Sequence, residues 1–302
     1  MRRGSRLSAL LVGVLAAFAL APATALGDRA YLPVFNATTQ GDITMTGNTL
    51  VTCFNADPIC PAARAGTASG ADNNNNSRPV TWVNVAGTGR RRGRANPSIF
   101  DSSTAPLVLP SGAHVLKAVL MYTGRLDKGS NSGSFTAQAP PDPDARDHVL
   151  LRPPGADSFI DLEADTVDDA YDPSTGVARL YSGEVDVTSI VAAAGAGDYT
   201  VANVQIGTGL NADQSGGWSL VVAYGDASMP PRAMTIYTGM RFVLADGPAV
   251  DIPLSGFTTP PAGAVKTNVG VVAVEGDLGT TGDSVTLNAG TDQAVKLHGH
   301  DG

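Results

Sequence analysis

The strongest constraint on the fold is a recurrence of short apolar runs separated by turn residues. From Tyr31 onward the chain reads "GDITMTGNTLVTC", "PVTWVNV", "AHVLKAVLMYTG", "DYTVANVQIG", "WSLVVAYGD", "RAMTIYTGMRFVL", "AVDIPLSGF", "KTNVGVVAVEGD" and "SVTLNAG". Each is rich in Val, Ile, Thr or Tyr and is bounded by Gly, Asp or Pro, the pattern of strands joined by turns. In "HVLKAVLMY" a period of two places Val115, Lys117, Val119 and Met121 opposite Leu116, Ala118, Leu120 and Tyr122. In "WSLVVAY" it places Trp218, Leu220, Val222 and Tyr224 opposite Ser219, Val221 and Ala223, with Trp218 in the core. Only residues 187–197, "VTSIVAAAGAG", read as a helix of one or two turns, with Thr188 or Ser189 as the N-cap. Many strands and at most one short helix predict an all-β, jelly-roll-like β-sandwich. The 35 glycines and 20 prolines suit its turns.

The N-terminus predicts export. Arginines at Arg2, Arg3 and Arg6 precede the apolar run "LSALLVGVLAAFALAP", and Ala23 and Ala25 bracket Thr24 in an A-x-A site. This is the layout of a signal peptide over residues 1–25, leaving residues 26–302 as a single β-sandwich domain with a long N-terminal loop region. Later apolar stretches are broken within about ten residues, well short of the roughly 20 a spanning helix needs. No membrane span is therefore expected after signal removal, and the product is placed as secreted or on the cell surface. The formal charge is −8, and loss of a leader with three arginines and no acid takes it to −11. That sign disfavours nucleic acid and anionic membranes as partners. Surface glycans or other envelope proteins are the expected partners.

Cys53 and Cys60 are the two cysteines of the chain. In an oxidising compartment so close a pair is expected as a disulfide, closing a ring worth roughly 2 to 3 kcal/mol. Redox catalysis favours C-x-x-C, and a metal site needs further ligands nearby.

Catalytic motifs are sparse. The chain contains no G-x-S-x-G, no G-x-G-x-x-G or Walker sequence and no H-E-x-x-H. The terminal His298 and His300 read as a solvated tail, and Arg90, Arg91 and Arg92 as an exposed loop. Residues 66–77 and 139–147 also read as loops. "DLEADTVDDAYDPSTG" gathers Asp161, Glu163, Asp165, Asp168, Asp169 and Asp172 and reads as a solvated acidic loop. In "EGDLGTTGDS" the carboxylates Glu275, Asp277 and Asp283 fall in a glycine-rich turn, which lets oxygen ligands converge on Ca²⁺. Solvent screening of the three charges is the competing reading, so the cofactor expectation is none, or calcium.

"GDITMTGNTLVTC", "YTVANVQIGTG", "GGWSLVVAYGD", "IPLSGFTTPP" and "VGVVAVEGDLGTTGDSVTLN" occur in that order. Together they resemble the N-terminal β domain of large adhesin-like surface proteins of Actinobacteria, which carry domain-of-unknown-function-eleven repeats and a wall anchor. The resemblance covers nearly all of the chain after its leader. It implies a secreted or surface β protein of structural or adhesive role and brings no catalytic residue. The chain departs from the pattern soon after Asn288, with no repeats or anchor following, as in a truncated gene or a free secreted version. A carbohydrate-binding module with calcium is the alternative, and a glycosidase using paired carboxylates is a third.

Ca²⁺ held by Glu275, Asp277 and Asp283 raises the melting temperature with added metal and lowers it with chelator. A melting curve unchanged across millimolar Ca²⁺ removes the site.

Overall fold

The computed structural model describes residues 28–69, 78–87, 99–171, 178–210, 214–243, 249–256, 262, 266–274, 284–288 and 294–297. In chain order its elements are β1 (Arg29–Thr49), β2 (Val51–Cys53), α1 (Cys60–Arg64), β3 (Val80–Trp82), β4 (Ser102–Leu107), β5 (His114–Arg125) and β6 (His148–Arg152). Then come β7 (Ile160–Glu163), β8 (Thr166–Tyr171), β9 (Ala178–Asp186), α2 (Thr188–Ala194), β10 (Gly197–Ala202), β11 (Gly216–Gly225) and β12 (Pro231–Met240). Two short strands close the series, β13 (Val285–Leu287) and β14 (Val295–Leu297). The fold is all-β and sandwich-like, and α2 lies where the sequence predicts it.

The antiparallel sheets have the strand orders β12-β1-β11-β5-β9-β8 and β4-β10-β6-β7. Between them lies the main core. Ala118, Leu120 and Tyr122 of β5 and Trp218, Leu220 and Val222 of β11 join Leu107, Val149, Leu151, Tyr199 and Val201 of the smaller sheet. Trp218 is 4% exposed and its indole N–H donates to Ser103 Oγ at 2.9 Å, which satisfies the one polar atom that burial would orphan. Tyr122 faces Gly183 across the ladder, where a Cβ would stand 2.2 Å from the phenol ring, so the glycine makes room for the aromatic side chain.

The opposite face of the large sheet is also apolar. Val119, Val221 and Ala223 form a second cluster with Ile236, against which Val34, Phe35, Ile43 and Met121 pack. The first half of β1 and its partner β12 supply this cover. Residues 41–49 pair with β11, whereas residues 29–40 pair with β12. The change falls at Gly41, whose φ of +151° a side chain would oppose and whose Cβ would meet the Tyr224 carbonyl at 2.0 Å. Beyond this bend the β1–β12 ribbon folds back across the sheet until Arg29 reaches Asp168 of β8 and Glu184 of β9, at 2.8 and 2.7 Å. Strands lie about 4.8 Å apart, so only a ribbon crossing the sheet joins strands that far from β11.

Several expectations are corrected. The β5 alternation holds from Lys117 to Tyr122, but a bulge opposite Ala223–Tyr224 turns Val115 toward the main core and Leu116 toward the outer cluster. The acidic run is not a solvated loop over residues 161–171, where it forms β7 and β8, and Asp172 lies outside the described residues. The helix N-cap is Val187, and Asp186 accepts hydrogen bonds from both the N–H and the hydroxyl of Thr188. A single turn at Cys60–Arg64 and a 3-10 turn at Pro143–Ala145 were not legible. The described parts of "AVDIPLSGF" and "KTNVGVVAVEGD" join no ladder. They lie against the ribbon through bonds from Tyr237 to the Ser255 carbonyl and from Asn36 to that of Gly256, and through Val272 on the outer cluster.

Truncation of Trp218 to Ala leaves a large void and an unpartnered Ser103 hydroxyl, and is expected to destabilise the protein by about 3 to 5 kcal/mol in a denaturant titration. Arg29→Ala leaves Asp168 and Glu184 facing each other under the ribbon. Its effect is expected between those of an exposed and a buried pair, roughly 1 to 3 kcal/mol.

Candidate functional site

Cys53 and Cys60 are joined as a disulfide, with Cα atoms 5.5 Å apart. Cys60 opens α1 and is fully buried, while Cys53 closes β2, so the bond fastens the helical turn to the β2–β3 ribbon. The enclosed loop is held from within: Asp57 Oδ1 accepts the Ile59 N–H at 2.9 Å and the same carboxylate pairs with Arg78 at 3.3 Å. Arg64 donates from Nη2 to the Cys53 carbonyl at 2.9 Å and from Nε to Thr52 Oγ1 at 2.8 Å. This is a stapled loop, as its spacing predicts.

Glu275, Asp277 and Asp283, the expected calcium ligands, lie outside the described residues, as do His298, His300 and Arg90 to Arg92. Among the described residues no three His, Cys, Asp or Glu side chains converge as a metal site. Three carboxylates of the acidic run, Asp165, Asp168 and Asp169, serve the framework. Asp168 holds Arg29, and Asp169 takes a two-pronged contact from Arg146 at 2.8 Å through each nitrogen. Asp165 Oδ2 accepts the Asp186 N–H at 2.7 Å. Asp161 bonds His148 Nδ1 at 3.1 Å on the exposed face of the small sheet, and this contact raises the imidazole pKa.

One acid stands apart, and no motif marks it. Asp101 precedes β4 in "IFDSSTAP", a lone carboxyl between apolar Ile99–Phe100 and a run of small residues. It is fully buried; Oδ1 accepts the Val204 N–H at 3.1 Å, and Oδ2 has no hydrogen-bond partner. Burial pushes its pKa well above the usual carboxylate range, against the opposing effect of the Val204 and Asn203 N–H groups. Asn203 adopts φ +60° there, and its side-chain oxygen accepts the Phe100 N–H at 3.1 Å, so the two segments are locked together by polar contacts. A neutral carboxyl completes that lock at lower free-energy cost than an ion does.

At the other end of the small sheet, Pro153, Ile160, Ser189, Ile190, Ala193 and Ala194 line an open hollow of about 470 Å³ between α2 and the β6–β7 hairpin. Apart from the Ser189 hydroxyl the lining side chains are apolar, so the hollow can receive an apolar group. Comparison of the chain with protein-family models, with curated proteins and with solved structures finds no match.

Because Asp101 binds its proton more tightly in the native state than in the unfolded chain, it makes stability fall as pH rises from about 4, the unfolded value, through its raised native pKa. Asp101→Asn is expected to abolish that fall. Urea titrations of both proteins between pH 4 and 8 should give a stability difference that grows with pH in favour of the variant. A constant difference excludes a neutral Asp101.

Proposed function

We propose that this protein is an exported, non-catalytic β module of structural or adhesive role, working at the cell surface or in the medium through its loops and sheet faces. The disulfide between Cys53 and Cys60 carries the reading, because such bonds persist in oxidising compartments. The leader-like residues 1–25 and the acidic balance of the chain after them support the same placement. The use of Arg29, Asp168, Glu184, Arg146 and Asp169 in ion pairs that tie β1 and the loop before β6 to β8 and β9 supports a non-catalytic role, since these carboxylates already have cationic partners. The proposed partners are surface glycans or other envelope proteins.

Binding of the oxidised protein to a glycan array and to immobilised envelope proteins, with and without chelator, tests the reading. Binding indifferent to chelator is the expected result. Glycan binding lost on chelation assigns a calcium-dependent carbohydrate module instead. Turnover of a polysaccharide, abolished by a carboxylate substitution, overturns the non-catalytic reading.

A further inference from the structure

β7 ends the small sheet, and among the described residues nothing pairs with its other side. We propose that this edge takes up an extended segment of a partner protein as an added strand. The segment's side chains alternate between aliphatic groups and Lys or Arg, and one aliphatic group is seated in the hollow beside α2. The proposal rests on the adhesive reading, to which it gives a partner of stated chemistry.

The direction of the backbone groups of β7 follows from its ladder. The Ala164 N–H donates to the Asp147 carbonyl at 2.7 Å, in register with the β6–β7 pairs His148–Glu163 to Leu151–Ile160. Antiparallel pairs alternate between bonded and unbonded. Leu162 and Ile160 therefore also bond β6, while the N–H and C=O groups of Asp161 and Glu163 turn toward the open edge. Asp165, next in that series, gives its N–H to the Glu184 carbonyl at 2.8 Å, which closes the edge at the corner before β8. Asp161 and Glu163 each offer a donor and an acceptor to an added strand, the contacts by which a peptide augments a sheet.

The side chains along the edge decide what that strand must carry. Asp161 and Glu163 are exposed, whereas Leu162 and Ala164 pack against the main core and Ile160 lines the hollow. Residues directly opposite one another share a face of the sheet. Cations opposite Asp161 and Glu163 therefore alternate with aliphatic groups opposite Leu162 and Ile160, the last of which enters the hollow. His148, whose Nδ1 lies 3.1 Å from Asp161, offsets these acids only when protonated. The same acids repel a second copy of β7, because like charges would stand across the joint. The occupant is therefore a basic strand of another protein.

The test titrates isotope-labelled, oxidised protein with synthetic peptides of about eight residues and follows the backbone amides by nuclear magnetic resonance. A peptide of alternating Val and Lys is expected to bind saturably, with shifts at Ile160 to Glu163 and along α2. One of alternating Val and Glu is expected to bind at least about tenfold more weakly, and the double variant Asp161→Lys, Glu163→Lys to reverse that order. N-methylation of the Lys amides, which face β7, abolishes binding, whereas N-methylation of the Val amides preserves it. Ala193→Trp fills the hollow from an exposed position of α2 and is expected to weaken the Val–Lys peptide about tenfold. Both variants are checked for folding by circular dichroism. Absence of saturable binding, equal binding of the two peptides, tolerance of N-methylated Lys or indifference to Ala193→Trp overturns the proposal. The adhesive reading survives each of these results, because binding to immobilised envelope proteins tests it through whatever surface is used.

Discussion

The ladder between β11 and β5 is apolar on both faces, and the arrangement of the other strands follows from that. Trp218, Leu220 and Val222 point into the sandwich, and Val221 and Ala223 point out of it. A half-buried antiparallel sheet ordinarily leaves its second face to water. Here that face needs a cover, and the cover is drawn from the same chain: β1 is long enough to pair with β11 along one half and to return over the sheet with β12 along the other. The bend at Gly41 makes this possible, since the backbone there adopts a conformation that disfavours a side chain in a space already filled by the Tyr224 carbonyl.

Charge secures what the apolar contacts place. The ribbon's far end would fray, as strand ends do, but Arg29 meets two carboxylates on two different strands. Burial works against the guanidinium charge, while the hydrogen bonds and field of Asp168 and Glu184 more than offset it and raise its pKa. Arg146 does the same for β8 from the loop preceding β6, through Asp169. The disulfide contributes at a third place, the loop beside the β2–β3 ribbon, where it adds a covalent tie to the packing of Phe54 on Phe135. Asp101 joins the framework by a different device, a carboxyl buried without a cation.

In the described residues Arg29, Asp168, Glu184, Arg146 and Asp169 are engaged in ion pairs that tie elements of the fold together. Among the described residues its open surfaces include the hollow beside α2, the polar face of the small sheet with His148 and Asp161, and the exposed aliphatic side chains Val250, Ile252, Val269 and Val271 of the later segments. A structural or adhesive reading uses such surfaces and needs no acid, base or nucleophile.

Local pattern was enough for the elements whose burial is regular. The alternation in "WSLVV" and "KAVLMY" is legible because a strand's side chains alternate strictly, and the cysteine pair is legible because the chain has two cysteines, seven positions apart. The acidic run reads as solvated for a physical reason: carboxylates in sequence give no sign of the cations that reach Asp168 from Arg29, 139 positions away, and Asp169 from Arg146. The same limit hid Asp101, whose burial depends on a segment about a hundred residues later. By itself the sequence determined the all-β class, the helix before β10, the disulfide and the two-sided apolar strand. Tertiary structure alone decided which strands meet, what covers the outer face and which acids are paired, because those outcomes depend on contacts between residues far apart in the chain.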